Sequence, residues 1–211
     1  MNAEFTYFAS AFVALFVIVD PFGLVPFYLT LTARFNQEDR RIVRRQASLV
    51  SLGIMLTFGL VGLSILRFLG ITLPAFQIAG GLLLVSLGLA ELNVKRDRVN
   101  QAEQDESLAR ENISIFPLGT PLIAGPGAIS TVVLYASKAD SIVDKVLLII
   151  AILGVSAIVY LCLAGAPVFY RILGRTGLNL ITRLMGILIT AVAVQFILNG
   201  IEEALKAGGF L

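Results

Sequence analysis

Long apolar runs alternate with short polar clusters along this chain. The runs cover about 5–32, 46–66, 70–92, 114–136, 146–169 and 178–200. A helix needs roughly 20 apolar residues to cross the hydrocarbon of a bilayer. The second, third, fifth and sixth runs are uninterrupted. The first and fourth are punctuated by proline and glycine, in "VDPFGLVPFYLT" at 19–30 and "PLGTPLIAGPGA" at 117–128. The pattern predicts an all-α membrane protein with six transmembrane helices, of which helices one and four are broken. Phe5 to Val19 has the apolar character of a signal peptide, but no basic residue precedes it and Asp20-Pro21 is no small-residue cleavage site, so it is expected to be a retained first helix.

The chain repeats itself. Pro21 and Pro26 are matched by Pro121 and Pro126, displaced by 100. "NQED" at 36–39 corresponds to "SIVD" at 141–144, each an N-cap residue followed three positions later by an acid, as at a helix start. "RFLGIT" at 67–72 corresponds to "RILGRT" at 171–176, and "GLLLV" at 81–85 to "GILIT" at 186–190. A unit with an odd number of spans inserts its second copy upside down. The expectation is therefore two inverted three-helix repeats, residues 1–92 and 113–211, joined by a cytoplasmic linker loop at 93–112.

Composition sets the solvent. Hydrophobic residues make up 57% of the 211 and charged residues only 14%, against about 25% charged in ordinary soluble domains. Too little polar material exists to coat a soluble fold of this size, so the lipid bilayer is the expected partner for most of the surface. A net charge of +2 excludes nucleic acid as a partner. Self-association into a homo-oligomer stays open.

Charge then orients the spans. Arg34, Arg40, Arg41, Arg44, Arg45, Lys95, Arg96, Arg98, Arg110, Arg171, Arg175 and Arg183 fall in or beside the odd-numbered loops. Only Arg67, Lys138, Lys145 and Lys206 of the 16 basic residues fall on the other side. Positive residues stay in the cytoplasm. Both termini are thus expected on the periplasmic or extracellular face of a bacterial inner membrane.

The broken helices carry the candidate chemistry. Proline lacks an N–H and strikes the carbonyl four residues back, which would free the carbonyls of Val17, Phe22, Pro117 and Leu122. Backbone groups unpaired in this way cannot face lipid; they must be buried in protein or line a wet cavity. Two breaks at matching places in two repeats point to one shared central site near mid-membrane. Its expected residues are Asp20, Pro21, Gly23, Pro26, Thr120, Pro121, Gly125, Pro126 and Gly127. Asp20 is the one acid deep inside a span, where an aspartate costs about 2.5–3.5 kcal/mol. It can serve as proton carrier, as cation ligand, or as acceptor for the N–H groups of the following half-helix. Arg183, Gln195 and Asn199 are supporting polar candidates, and Glu91 is expected at the membrane interface.

The inventory also excludes. There is no histidine and one cysteine, Cys162. An intrachain disulfide and a cysteine-based metal cage are ruled out by that count, and the commonest metal ligand and general base, histidine, is missing. A single deep aspartate does not make an aspartyl protease dyad. No catalytic residue, metal or cofactor is expected.

Four stretches, "DPFGLVPFY", "PLGTPLIAGPGAIS", "IAGGLLL" and "RLMGILITAVAVQFILNGI", together resemble the MarC family of bacterial inner-membrane proteins, in order along essentially the whole chain. That family resembles, distantly, the lysine-exporter superfamily of small-molecule transporters, whose members carry duplicated three-helix units. The resemblance implies six spans with outside termini, and it allows Asn at the position of Asp20. The expected function is transport or export of an unidentified small polar solute through the central site. A non-transporting membrane scaffold or regulatory protein is the alternative.

Overall fold

The computed structural model describes residues 3–93 and 123–209. Among them the regular structure is helical: α1 (Ala3–Val19), α2 (Leu24–Leu31), α3 (Gln37–Phe68), α4 (Leu73–Asn93), α5 (Pro126–Ser137), α6 (Ile142–Ala164) and α7 (Ala166–Ala207). Apart from Asn93, the linker expected over 93–112 lies outside the described residues, as do Thr120 and Pro121.

Four helices are long and apolar enough to cross a membrane: α3, α4, α6 and the Thr176–Ala207 part of α7. The pair α1 and α2, bent by 42°, makes a fifth if counted as one span. Helix α5, with 12 residues, is shorter, and the 114–122 part of the expected fourth span lies outside the described residues. Large apolar side chains project outward from these helices, among them Phe68 at 89% exposure and Leu60 at 69%. Apolar exposure spread over so many helices fits a lipid surface and not a wet one.

Local chemistry sets the helix ends. Helix α3 begins at the expected cap, ahead of the apolar run that starts at 46, because the Asn36 side chain accepts from the Asp39 N–H at 2.8 Å and so caps it. Arg40 to Arg45 therefore ride on the helix and not in a loop. Arg40 reaches back to donate from Nε to the Thr32 carbonyl at 3.0 Å, covering the C-terminal carbonyls of α2. The Tyr28 hydroxyl ties the same corner by donating to the Arg40 carbonyl at 2.8 Å. At the start of α6, the Ser141 hydroxyl accepts from the Asp144 N–H at 3.0 Å, and the Asp144 carboxylate accepts from the Ser141 N–H at 3.1 Å. The sequence pattern carried α6 to residue 169, but the helix ends before Gly165. A short helical stretch follows, and Gly174, at φ +61°, interrupts α7. Gly70 closes α3 at φ +70°. These two glycines are the G of the two RxLGxT matches, and both adopt a left-handed conformation that other residues resist.

Helix α1 packs on α5 and α6, α3 on the same two, and α4 on α7 and α5. The Tyr7 hydroxyl donates to the Tyr135 carbonyl at 2.7 Å, while Ile18 lies beside Gly127. Helices α1 and α5 are therefore antiparallel, and Ala3 and Ser137 share an end. The α4–α7 contact is the closest. Gly81 and Gly88 on α4 oppose Gly186, Ala193 and Gly200 on α7, all seven residues apart within each helix. A Cβ at Gly81, Gly88, Gly186 or Gly200 would stand 2.8–2.9 Å from a backbone carbonyl oxygen of the other helix. Small residues are what allow backbones to approach so closely in a membrane, where packing drives helix association. Both helices present the same profile: the order of buried, half-buried and exposed positions over 81–89 matches that over 186–194 at every place.

Candidate functional site

The first break spans Asp20 to Gly23, between α1 and α2. Among the described residues Asp20 is the one non-glycine residue at positive φ, +45°. Aspartate and asparagine tolerate that region because their short polar side chains bond locally. Asp20 does so: its Oδ1 accepts from the Gly23 N–H at 3.1 Å. Its own N–H donates to the Phe16 carbonyl at 3.1 Å, and its carbonyl accepts from the Leu24 N–H at 3.2 Å. The side chain is 6% exposed. The carboxylate folds over Gly23 and fills the space a Cβ there would need. Of the three roles open to Asp20, this geometry supplies the acceptor at the head of the second half-helix, and leaves Oδ2 for other partners.

Pro21 is buried within the break. Pro26 breaks nothing. It lies in the first turn of α2, where the missing N–H has no helical partner to lose. The Phe22 carbonyl, expected to be freed by Pro26, accepts from the Val25 N–H at 3.1 Å.

The second break is described from Ile123 onward. Gly125 is the N-cap of α5 at φ −73°, ψ 175°, and Pro126 occupies its first turn. Pro126 is exposed, while Ile123, Ala124, Gly127 and Ala128 are buried. Gly127 stands where the two breaks meet. A Cβ on it would lie 3.2 Å from Ile18, two residues before Asp20, and 3.1 Å from Cγ of Leu84 on α4. Val19, Leu24, Val25, Ile123, Ala124 and Ala128 belong to one buried cluster. The structure thus places Gly127 beside α1 two residues before Asp20, with Pro21 and Gly23 in the break that follows and Gly125 at the cap of α5.

The supporting candidates lie elsewhere. Arg183 is exposed. Gln195 donates from Nε2 to Oδ1 of Asn199 at 2.7 Å on an outward face of α7, so the two pair along one helix. Glu91, expected at the membrane interface, lies near the C-terminal end of α4 and is 9% exposed. A Cβ on Gly186 of α7 would stand 2.9 Å from the Cβ of Glu91. Sequence reading also passed over three buried side chains. Gln77 on α4, Ser48 on α3 and Ser156 on α6 have buried polar atoms without a hydrogen-bond partner among the described residues. Polar residues inside otherwise apolar spans are the signal that could have flagged them. One turn from Ser48, Arg44 places its guanidinium carbon 5.6 Å from the centre of the Tyr160 ring, one turn from Ser156. Among the described residues no three acids or cysteines converge as a metal site would require.

Chemically, the region combines a buried carboxylate with interrupted backbone. It can accept hydrogen bonds from a donor-rich or positively charged group.

The model of the MarC family of integral membrane proteins matches residues 5–205. A protein of Methanocaldococcus jannaschii is 40% identical over 203 residues, covering 96% of this chain and 99% of its own. One from Aquifex aeolicus is 39% identical over 201 residues, 94% of each chain. YhcE of Escherichia coli is 35% identical over 206 residues, again 94% of each. All three carry the designation UPF0056 membrane protein, which states no activity or substrate. The relatives are archaeal as well as bacterial, so the likeness is not confined to bacteria. No solved structure matches the chain.

Proposed function

Because this chain belongs to the MarC family of integral membrane proteins, we propose that it transports a small polar solute through a site built where its two helix breaks meet. The observation that carries this reading is Gly127. The head of α5 is seated against Ile18, at the edge of the break that holds a buried Asp20. A buried acid on interrupted backbone in a membrane helix is expensive, and solute and ion paths are where membrane proteins keep such groups.

We read the two halves as inverted repeats of three spans. Three features support this: the Asn36 and Ser141 caps 105 apart, the left-handed Gly70 and Gly174, and the matched exposure of 81–89 and 186–194. By the positive-inside rule, the end bearing Arg40 to Arg45 faces the cytoplasm and both termini face away from it, in the inner membrane of a bacterial cell.

The test is a thermal-shift screen of small polar solutes on the purified protein, followed by flux of any stabilising solute in proteoliposomes. The expected result is a solute whose stabilisation weakens at least tenfold in apparent affinity with Asp20→Asn and whose flux falls with it. A folded, stable protein that shifts with no solute and carries none would leave the scaffold alternative in its place.

A further inference from the structure

Helix α4 presents a buried stripe with a period of seven: Gln77, Leu84 and Glu91. Seven residues are close to two helical turns, so the three share a face and stand about 10.5 Å apart. Gln77 and Glu91 lie against the α7 glycines Gly200 and Gly186, while Leu84 between them lies against Gly127 of α5.

Gln77 lies in the second turn of α4 and is 1% exposed. Neither its amide nitrogen nor its amide oxygen has a hydrogen-bond partner among the described residues. Gly200 of α7 packs on its Cβ, and one turn further along, Gly80 lies against the side chain of Ser130 on α5. A buried amide with both ends empty is among the least favourable arrangements a core can hold. A leucine would occupy the same space without that penalty. The chemistry at this position is therefore suited to a ligand and not to packing.

Leu84 is fully buried. Its side chain fills the space beside Gly127, at the head of α5, with Ile18 of α1 closing on the same glycine. It stands at the junction of the two breaks. Gly80 meets Ser130 and Leu84 meets Gly127, so α4 runs antiparallel to α5 and parallel to α1; Glu91 and Asp20 therefore lie on the same side of Gly127.

We propose that this face of α4 is a wall of the solute path, with Gln77 as an outer binding station, Asp20 and Glu91 as an inner one, and Leu84, closed on Gly127 and Ile18, as the barrier between them. The proposal rests on the transport reading and narrows its substrate class. The Gln77 amide offers two N–H donors and one carbonyl acceptor without charge. The inner station offers carboxylate acceptors. A solute satisfying both in turn is small and rich in N–H or O–H donors, and it is neutral or positively charged. An anion is repelled at the inner station.

Single cysteines at 77, 84 and 91, in a Cys162→Ser background, test the path without knowledge of the natural solute. A membrane-impermeant thiol reagent is added to one side of reconstituted vesicles at a time. Gln77→Cys should react from the side on which α4 begins, Glu91→Cys from the opposite side, and Leu84→Cys at least tenfold more slowly than either. Adding Leu84→Ala should make Gln77→Cys reactive from both sides. Unreactive 77 and 91 in folded protein, or a residue 84 as reactive as they are, overturns the proposal.

A second measurement guards against misfolded cysteine variants. Gln77→Leu should raise the melting temperature, since it removes an unpartnered amide; a lowered melting temperature shows the amide to be a structural partner and overturns the outer station. Vesicle uptake of urea, glycerol, methylammonium and acetate through Leu84→Ala tests the solute class. Faster entry of acetate than of methylammonium overturns it. Flux by the unaltered protein with an unreactive position 77 rejects this path and keeps the transport reading. Two-sided labelling without flux of any solute keeps the path and rejects transport.

Discussion

The Asp20 carboxylate accepts the Gly23 N–H at 3.1 Å and occupies the space that any side chain at 23 would require. The two residues form one device. The left-handed turn at Asp20 swings its carboxylate over the next turn of chain, and the glycine leaves room for it. Gly23→Ala should therefore lower stability by about 1–3 kcal/mol, the usual range for overpacking a core. Adding Asp20→Gly, which removes the obstructing carboxylate and keeps the positive φ, should recover part of the loss. Thermal melts of the single and double variants in detergent check this; simple additivity of the two losses would refute the shared device.

Asp20 itself tolerates one replacement. Asn at 20 keeps a local acceptor for Gly23 and tolerates φ +45°, so Asp20→Asn should fold and melt close to the unaltered protein. Asp20→Val should lose about 2–3 kcal/mol: roughly 1–2 from the left-handed backbone and about 1 from the lost hydrogen bond. Equal melting temperatures for the Asn and Val variants would contradict the structural role assigned here.

The glycines between α4 and α7 should be intolerant of side chains. A Cβ at Gly88 would stand 2.8 Å from the Gly186 carbonyl oxygen, and one at Gly186 2.9 Å from that of Gly88. Gly88→Val and Gly186→Val should each cost about 1–3 kcal/mol or prevent folding. Gly53 on α3 has open space around its Cβ position, and Gly53→Ala should be neutral or stabilise by about 0.5–1 kcal/mol through helix propensity. Comparing yields of monodisperse protein and melting temperatures for the three variants separates packing from propensity.

Helix caps offer a smaller effect. Ser141→Ala removes the acceptor for the Asp144 N–H, and Asn36→Ala the acceptor for the Asp39 N–H. Each should lower stability by about 1 kcal/mol. Hydrogen exchange should locate the loss in the first turn of α6 or α3; uniform loosening across the protein would argue against a local cap.

Buried hydroxyls without partners should act in the other direction. Ser48→Ala and Ser156→Ala each delete a buried, unpartnered oxygen and should leave stability unchanged or raise it by up to about 1 kcal/mol. A clear loss in either melt would mean that the hydroxyl is held by water or lipid in the membrane.

Much of this protein was legible before any coordinates. Both capped helix starts were readable at Asn36 and Ser141, because a cap is made by residues three apart on one piece of chain. The break at Asp20-Pro21 was readable because proline and an isolated carboxylate disturb a helix wherever it packs. The lipid environment followed from composition. Pro26 does not free the Phe22 carbonyl as expected, since its effect depends on where the new helix starts: in a first turn the missing N–H costs nothing. The arginines at 40–45, counted with the loop for the charge balance, ride on the first turns of the capped helix α3.

Tertiary structure decided which faces meet. In lipid, a helix is apolar on the side facing its neighbours and apolar on the side facing the solvent, so periodicity does not say which residues turn inward. That is why periodicity alone does not place Gln77 and Glu91 on one buried stripe with Leu84, or the supporting candidates Gln195 and Asn199, which pair with each other, on an outward face. The sequence by itself determined the solvent, most of the helices and the first break, because these are properties of local composition and spacing. The meeting of that break with the head of α5 at Gly127 is a contact between Ile18, Leu84 and Gly127. It joins residues more than forty positions apart in the chain, and only the packing of three helices could produce it.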